Sequence, residues 1–141
     1  HDIGKIGVPD AILLKNGPLT DEEFVEIKKH PAGGEKILST YTPFKDILSI
    51  VRGHHERFDG SGYPDRLAGD AICMGARIIA VADAFDAMIS NRTYRPGLGF
   101  DNTMERIEAG RNTQFDTIVV DALQHLIGRL GQEQFVERYC R

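Results

Sequence analysis

An all-α fold is what this sequence predicts, on three observations. Ile78, Val81, Ala82, Phe85, Met88 and Ile89 recur at helical spacing and would fill one broad apolar face. Thr20-x-x-Glu23 reads as a capping box, in which each side chain satisfies the other residue's free backbone N–H. No segment alternates apolar and polar residues as a half-buried strand does. The architecture expected is a helical bundle interrupted by one Gly-rich loop.

The elements follow in order. Val8-Pro9-Asp10 reads as a turn into a short helix near residues 10–15, and Asn16-Gly17-Pro18 as a second turn. From its N-cap at Thr20, with Asp21, Glu22 and Glu23 in the first turn, a helix should run to about His30, where Pro31 interrupts it. Ala32 to Ser39 reads as another helix. Ile47, Ile50 and Val51 place one from about Pro43 to His55. Between Asp59 and Gly75 the pattern dissolves into a loop holding Gly60, Gly62, Pro64, Gly69 and Gly75. The apolar helix from Ala76 to Ser90 comes next. Residues 101–110, 117–129 and 131–140 then read as three amphipathic helices broken at Gly110 and Gly131. With no repeat, low-complexity tract or long linker, residues 1–141 are expected to form one domain, with 101–141 as its C-terminal helical part.

Composition bounds the chemistry. The chain has 141 residues, 17 basic and 21 acidic, and a net charge of −4, which argues against broad binding to DNA or RNA. A small phosphate ligand held by a few placed cations is compatible with it. No run of about 18 apolar residues exists, so no membrane segment is expected here. The first residue is His rather than Met, which points to a fragment. Cys73 and Cys140 form no CxxC pair, so neither a zinc ribbon nor a disulfide framework is indicated, and a cytoplasmic setting is the default. Five His, four of them before residue 56, are the hint worth following.

His1-Asp2 can present an imidazole and a carboxylate to one metal, although as a dipeptide it equally reads as two solvated polar residues. Lys5, on the bend made by Gly4 and Gly7, could face an anion bound there. His30 alone fits a helix C-terminus, where an imidazole meets the helix dipole. His54 and His55, adjacent on a helix, would project about 100° apart and could serve two metals, or one could lie in the core and one in solvent. Asp86 should border the apolar face of its helix and Asp83 point further away, where solvation is the simple alternative. Together, His1, Asp2, His30, His54, His55 and Asp83 form an imidazole and carboxylate set without thiolates. Such a set suits Fe, Mn or another divalent first-row ion, and is too large for one tetrahedral ion. Two metals suit phosphoester hydrolysis. Arg92 and Arg95 add two guanidinium forks, which match phosphate geometry. His125 reads as a structural or surface residue.

Four stretches together, His1-Asp2-Ile3-Gly4-Lys5-Ile6-Gly7, His54-His55-Glu56, Asp59-Gly60-Ser61-Gly62-Tyr63-Pro64 and Asp83-Ala84-Phe85-Asp86-Ala87, resemble the HD-GYP domain, a bacterial subgroup of the HD metal-dependent phosphohydrolases. The resemblance runs from residue 1 to about residue 100. It implies an HD-domain helical bundle with a GYP loop, two or three divalent metal ions (Fe or Mn), and hydrolysis of the messenger cyclic di-GMP to pGpG or GMP. It also implies that His1, Asp2, His30, His54, His55 and Asp83 ligate metal, with Asp2 and Lys5 acting in catalysis. Arg92, Arg95, Asp86, Tyr63, Gly62 and Pro64 would then contact substrate. Further ligands of the family precede the His-Asp pair on helices this chain does not include, so the chain is expected to be N-terminally truncated. Cys73 stands where the family commonly has Pro.

The expected mechanism is in-line attack of a metal-activated water on phosphorus, with Lys5 stabilising developing charge and Arg92 and Arg95 orienting the phosphates. Tyr63 would either stack on guanine or pack the loop. Members of the family usually carry N-terminal sensory or receiver domains, and the GYP loop is linked to protein partners; a homodimer is also compatible. The alternative from another class is a non-catalytic module that binds cyclic di-GMP or a protein. A third reading is an HD hydrolase for another nucleotide, such as a dNTP or a cyclic mononucleotide.

Overall fold

The structure is a computed structural model that describes residues 1–90 and 97–139. Among the described residues every regular element is helical, and the one β-type contact is an isolated bridge between Arg111 and Phe115. The expected all-α class holds. A 3-10 turn, Ile3–Gly7, leads into the short helix α1 (Asp10–Leu13), then α2 (Asp21–Ile27) and α3 (His30–Leu38). A second 3-10 turn, Thr42–Ile47, precedes α4 (Leu48–Gly53). After the Gly-rich loop and a 3-10 turn at Gly69–Ala71 come α5 (Met74–Ile89), α6 (Phe100–Ala109), α7 (Thr117–Leu130) and α8 (Gln132–Tyr139).

The Thr20 cap forms as its sequence requires. Glu23 N–H donates to Thr20 Oγ1 at 3.3 Å, and Thr20 N–H donates to the Glu23 carboxylate at 2.7 Å. Three expectations about helices change. α2 ends at Ile27, and His30 opens α3 rather than closing the helix before it. Pro31 sits in the first turn of α3, where its missing N–H would have no intrahelical partner anyway. The expected helix over 43–55 divides into a 3-10 turn and a short α4 ending at Gly53, so His54 is its C-cap and His55 lies beyond it. The apolar face of α5 is also narrower than expected. Val81 and Phe85 are buried, whereas Ile78 is 51 % exposed and Ala82 is exposed.

Two packed regions result. In the C-terminal one, Val81, Phe85, Ile107, Phe115, Val119, Val120 and Phe135 form the core between α5, α6, α7 and α8. Phe85 meets Phe135 edge to face with centroids 5.7 Å apart. Each such buried apolar side chain contributes about 1.5–3 kcal/mol. In the N-terminal region the Ile3–Gly7 turn lies against α3, and α3 packs on α4. Gly4 permits that approach: a Cβ there would stand 1.9 Å from the carbonyl oxygen of His30 and 2.5 Å from the nitrogen of Gly34. Arg77 ties α5 to the start of α7. Its guanidinium donates to the Ile72 carbonyl at 2.7 Å and to Asp116 at 2.8 Å, and Asp116 itself caps α7 by accepting from Ile118 N–H. No described helix is long and apolar enough to cross a membrane.

Candidate metal centre

Three chain segments converge beneath the Ile3–Gly7 turn. Asp2 precedes that turn, His30 begins α3, and His54 and His55 follow α4. One potential ligand atom from each of Asp2, His30, His54 and His55 lies within 4.8 Å of the others. His30 and His54 are each about 1 % exposed. The rings of His54 and His55 sit 4.2 Å apart, so they share one cluster, and the divergence expected of neighbours on a helix does not arise.

The local backbone decides which nitrogen faces inward. His30 Nδ1 lies 2.7 Å from the Ile27 carbonyl, and His54 Nδ1 lies 2.6 Å from the Val51 carbonyl. A carbonyl only accepts, so each Nδ1 carries the proton and each Nε2 presents a lone pair. Those two Nε2 atoms face each other at 3.2 Å, and Asp2 Oδ1 stands 3.3 Å from His30 Nε2 and 3.9 Å from His54 Nε2. Asp2 Oδ1 is buried and accepts no hydrogen bond. A buried anionic oxygen beside two inward lone pairs is costly unless a cation sits among them. The donor set, imidazole nitrogen and carboxylate oxygen held by backbone carbonyls, fits a divalent first-row metal.

The protonation equilibria agree. Burial pushes the His30 and His54 imidazoles below their ordinary values, and burial together with the neighbouring His54 and His30 pushes His55 down to about 3. Burial alone would raise Asp2, but the hydrogen bond and charge of Lys5, with His30 and His54 beside it, hold it below the usual carboxylate range. The neutral imidazoles and ionised carboxylate are the forms that ligate metal.

His1 and Asp83 border this group. His1 Nε2 lies 3.6 Å from Asp83 Oδ1 and 3.8 Å from Asp2 Oδ2, with its ring 4.8 Å from that of His54. The six residues named from sequence are therefore contiguous, four as one tight group and two at its edge. Lys5 Nζ donates to Asp2 Oδ2 at 2.6 Å, so its ammonium is fixed at the mouth of the cluster.

The Gly-rich loop forms a wall. Tyr63 stacks on His55 with centroids 4.9 Å apart and planes 28° from parallel, which places it against the cluster as well as within the loop. Burial, with the carboxylates of Asp2 and Asp83, raises its hydroxyl to about 12. Gly62 has no room for a side chain: a Cβ would meet Arg57 N at 2.3 Å. Gly62, Tyr63 and Pro64 line a cavity of about 530 Å³ shared with Lys28 and Arg66. Asp86 lies elsewhere: its exposed carboxylate accepts from Ser90 Oγ at 3.3 Å and lines an apolar groove between α5 and α7 that contains none of the six cluster residues. Arg92 and Arg95 lie outside the described residues.

Two further groups, Glu56 and Arg52, which residue type and spacing do not mark as functional, support the loop. Glu56, 3 % exposed, accepts the N–H groups of Asp65 and Leu67 at 2.7 and 3.1 Å and so anchors the loop. Arg52 grips Asp65 with two parallel hydrogen bonds at 2.6 and 2.7 Å and reaches Glu35 of α3 at 2.7 Å. The signal available for Glu56 was a charged residue inside a His-His-Glu run with no helix face to solvate it.

A family model described as "HD domain" matches residues 1–119. Over 141 residues the chain is 45 % identical to the "cyclic di-GMP phosphodiesterase response regulator RpfG" of Xanthomonas campestris pv. campestris, covering 99 % of this chain and 37 % of that protein. It is 44 % identical to a "cyclic di-GMP phosphodiesterase" of Thermotoga maritima, covering 89 % and 35 %. To a "3'3'-cGAMP-specific phosphodiesterase 3" of Vibrio cholerae it is 39 % identical, covering 94 % and 29 %. The chain thus spans little more than a third, at most, of the length of these curated relatives.

Proposed function

The chain belongs to the HD domain family, and we propose that the protein containing it is a metal-dependent phosphodiesterase of the HD-GYP type that hydrolyses cyclic di-GMP to pGpG or GMP. The observation that carries this reading is the buried, unpartnered Asp2 Oδ1 facing the lone pairs of His30 and His54. In this reading Asp2, His30, His54 and His55 hold one ion, and His1 and Asp83 extend the site to two or three Fe or Mn ions. Bound divalent ions lower the pKa of a water nucleophile and offset charge on phosphate oxygens.

The chain's own residues then bind and orient. Lys5, fixed on Asp2, stabilises negative charge as it develops on the phosphate. Tyr63 and Pro64 bound the substrate cleft on the loop side, where Lys28 and Arg66 add positive charge that favours an anionic dinucleotide. Arg92 and Arg95 complete the substrate contacts in this proposal, whereas Asp86, turned into the groove between α5 and α7, takes no part in them. The printed name of the Xanthomonas relative, a response regulator, supports an attached receiver domain in the whole protein. A cytoplasmic location is part of the same proposal. A protein partner at the loop and a homodimer belong to the same proposal.

The relative named for 3'3'-cGAMP favours a second reading, in which a mixed purine dinucleotide is the substrate. Chromatography of products after the full-length protein meets cyclic di-GMP or 3'3'-cGAMP with Mn(II) tests both. Linear product from cyclic di-GMP at the faster rate supports the first reading, and faster turnover of 3'3'-cGAMP supports the second. Binding of either nucleotide without turnover would leave the non-catalytic module as the function.

A further inference from the structure

His55 is held differently from the other imidazoles of its cluster. The rings of His30 and His54 are pinned through Nδ1 by backbone carbonyls, whereas the His55 ring makes no hydrogen bond among the described residues. Ring contacts locate it: the face of Tyr63 at 4.9 Å, His54 at 4.2 Å and the edge of His30 at 5.0 Å. Tyr63 is the one of these that belongs to a loop, so whatever fixes the loop fixes His55.

Glu56 fixes the inner side of that loop, as Arg52 grips Asp65 from the outer side. The loop backbone bends at Arg66, whose φ of 56° is left-handed, and the N–H groups of Asp65 and Leu67 on either side both donate to the Glu56 carboxylate. Alternating backbone handedness that turns N–H groups toward one anion is a nest, and here an internal carboxylate fills it. The left-handed conformation is unfavourable for Arg, so the nest persists because the buried charge rewards it. At the other end of the loop Gly62 sits directly on the Glu56 backbone, where a Cβ would stand 2.6 Å from Glu56 Cα. Tyr63 N–H donates to the His55 carbonyl at 3.2 Å and completes the connection.

We propose that Glu56 is a positioning residue for His55: by holding the 65–67 backbone it sets Tyr63 against the His55 ring and takes the place of the carbonyl that His55 lacks. Its consequence for metal affinity rests on the metal reading above, but the orientation of the ring does not. The test is histidine-selective NMR of the metal-free full-length protein, read beside Mn(II) titration. The Tyr63 ring current should displace the His55 resonance, and Glu56→Gln should abolish that displacement and weaken Mn(II) binding about 10- to 100-fold, the effect usual for residues that orient ligands. Adding Arg66→Gly to Glu56→Gln should restore part of the displacement, because glycine adopts the left-handed bend without cost. Tyr63→Ala removes the ring current itself and is read by Mn(II) titration instead: it should weaken binding as Glu56→Gln does, and Tyr63→Phe should not, since the ring face and not the hydroxyl holds His55. If Glu56→Gln fails to fold, Glu56→Asp, whose carboxylate is one methylene short of the two N–H groups, should still reduce the displacement of the His55 resonance. An unmoved His55 resonance in Glu56→Gln, or in Glu56→Asp where the former does not fold, would overturn the proposal. A wild-type protein that takes up no Mn(II) would refute the metal reading, and the resonance would still decide the positioning role.

Discussion

Gly4→Ala tests how the fold delivers Asp2 to the histidines. The added Cβ would meet His30 O at 1.9 Å, Gly34 N at 2.5 Å and the His30 carbonyl carbon at 2.8 Å. All three are backbone atoms, so no side-chain rotation relieves the overlap. Reaching an ordinary 3.4 Å contact requires the Ile3–Gly7 turn to leave α3 by roughly 1.5 Å. Overpacking generally costs about 1–3 kcal/mol, and a backbone clash lies at or above the upper end, about 3 kcal/mol. That is a large fraction of the 5–15 kcal/mol typical of a domain. The same displacement carries Asp2 Oδ1 away from His30 Nε2, now 3.3 Å distant, so metal affinity should fall with stability. The assay is urea unfolding of the metal-free protein followed by Mn(II) titration. Gly7→Ala is the control, because nothing lies within 4 Å of its Cβ and its stability should stay within about 0.5 kcal/mol of wild type. Equal midpoints and equal affinities for Gly4→Ala and wild type would refute the positioning argument.

Further outcomes follow from the same geometry. Asp116→Ala removes the cap of α7 and one of the partners of the nearly buried Arg77 guanidinium, which keeps the Ile72 carbonyl and Asp70, so unfolding should cost about 1–3 kcal/mol less, whereas Asp121→Ala, which loses an exposed partner of Arg111, should leave stability nearly unchanged. Similar losses in the two variants would show that the Arg77–Asp116 pair does not hold α5 to the start of α7. Acidification should destabilise the metal-free protein: His30, His54 and His55 are depressed in the folded state, so below about pH 6.5 the unfolded chain binds more protons. Their contribution is fully present above the unfolded value and declines as pH falls toward the folded ones, about 3 for His55, by up to about 1.4 kcal/mol per pH unit for each histidine. A melting temperature that stays level or rises between pH 7 and 5 would contradict this. Metal binding should raise the melting temperature of the wild-type protein, and a chelator should reverse the rise; no change in either direction would mean that the folded state does not bind the ion preferentially.

Local signals in the sequence were sufficient for the elements whose determinants are local. The Thr20 cap forms as its residues demand, and the three C-terminal helices, expected over 101–110, 117–129 and 131–140, begin and end within one residue of those bounds. Errors arose where distant packing decides. Pro31 marks a break whether it ends one helix or begins the next, and only the burial of His30 in the first turn of α3 separates those cases. Ile78 has the spacing of a core residue, yet the helices around α5 cover only the Val81 and Phe85 side of it. At the site, residue types identified six candidate ligands, but not that His54 and His55 would leave the helix and face one carboxylate. Glu56 escaped notice because its partners are backbone N–H groups, which carry no residue identity. The Arg77–Asp116 pair spans 39 positions and leaves no periodic trace.

In the proposed function, Asp2 and the histidines around it hold divalent metal. Elemental analysis of the full-length wild-type protein and of Asp2→Asn tests it most directly. Two or more first-row ions per wild-type chain, with at least one lost in Asp2→Asn while the helical circular dichroism is preserved, is the predicted result. A wild-type protein without bound metal after exposure to Fe(II) or Mn(II), or an Asp2→Asn protein with an unchanged metal count, would contradict it.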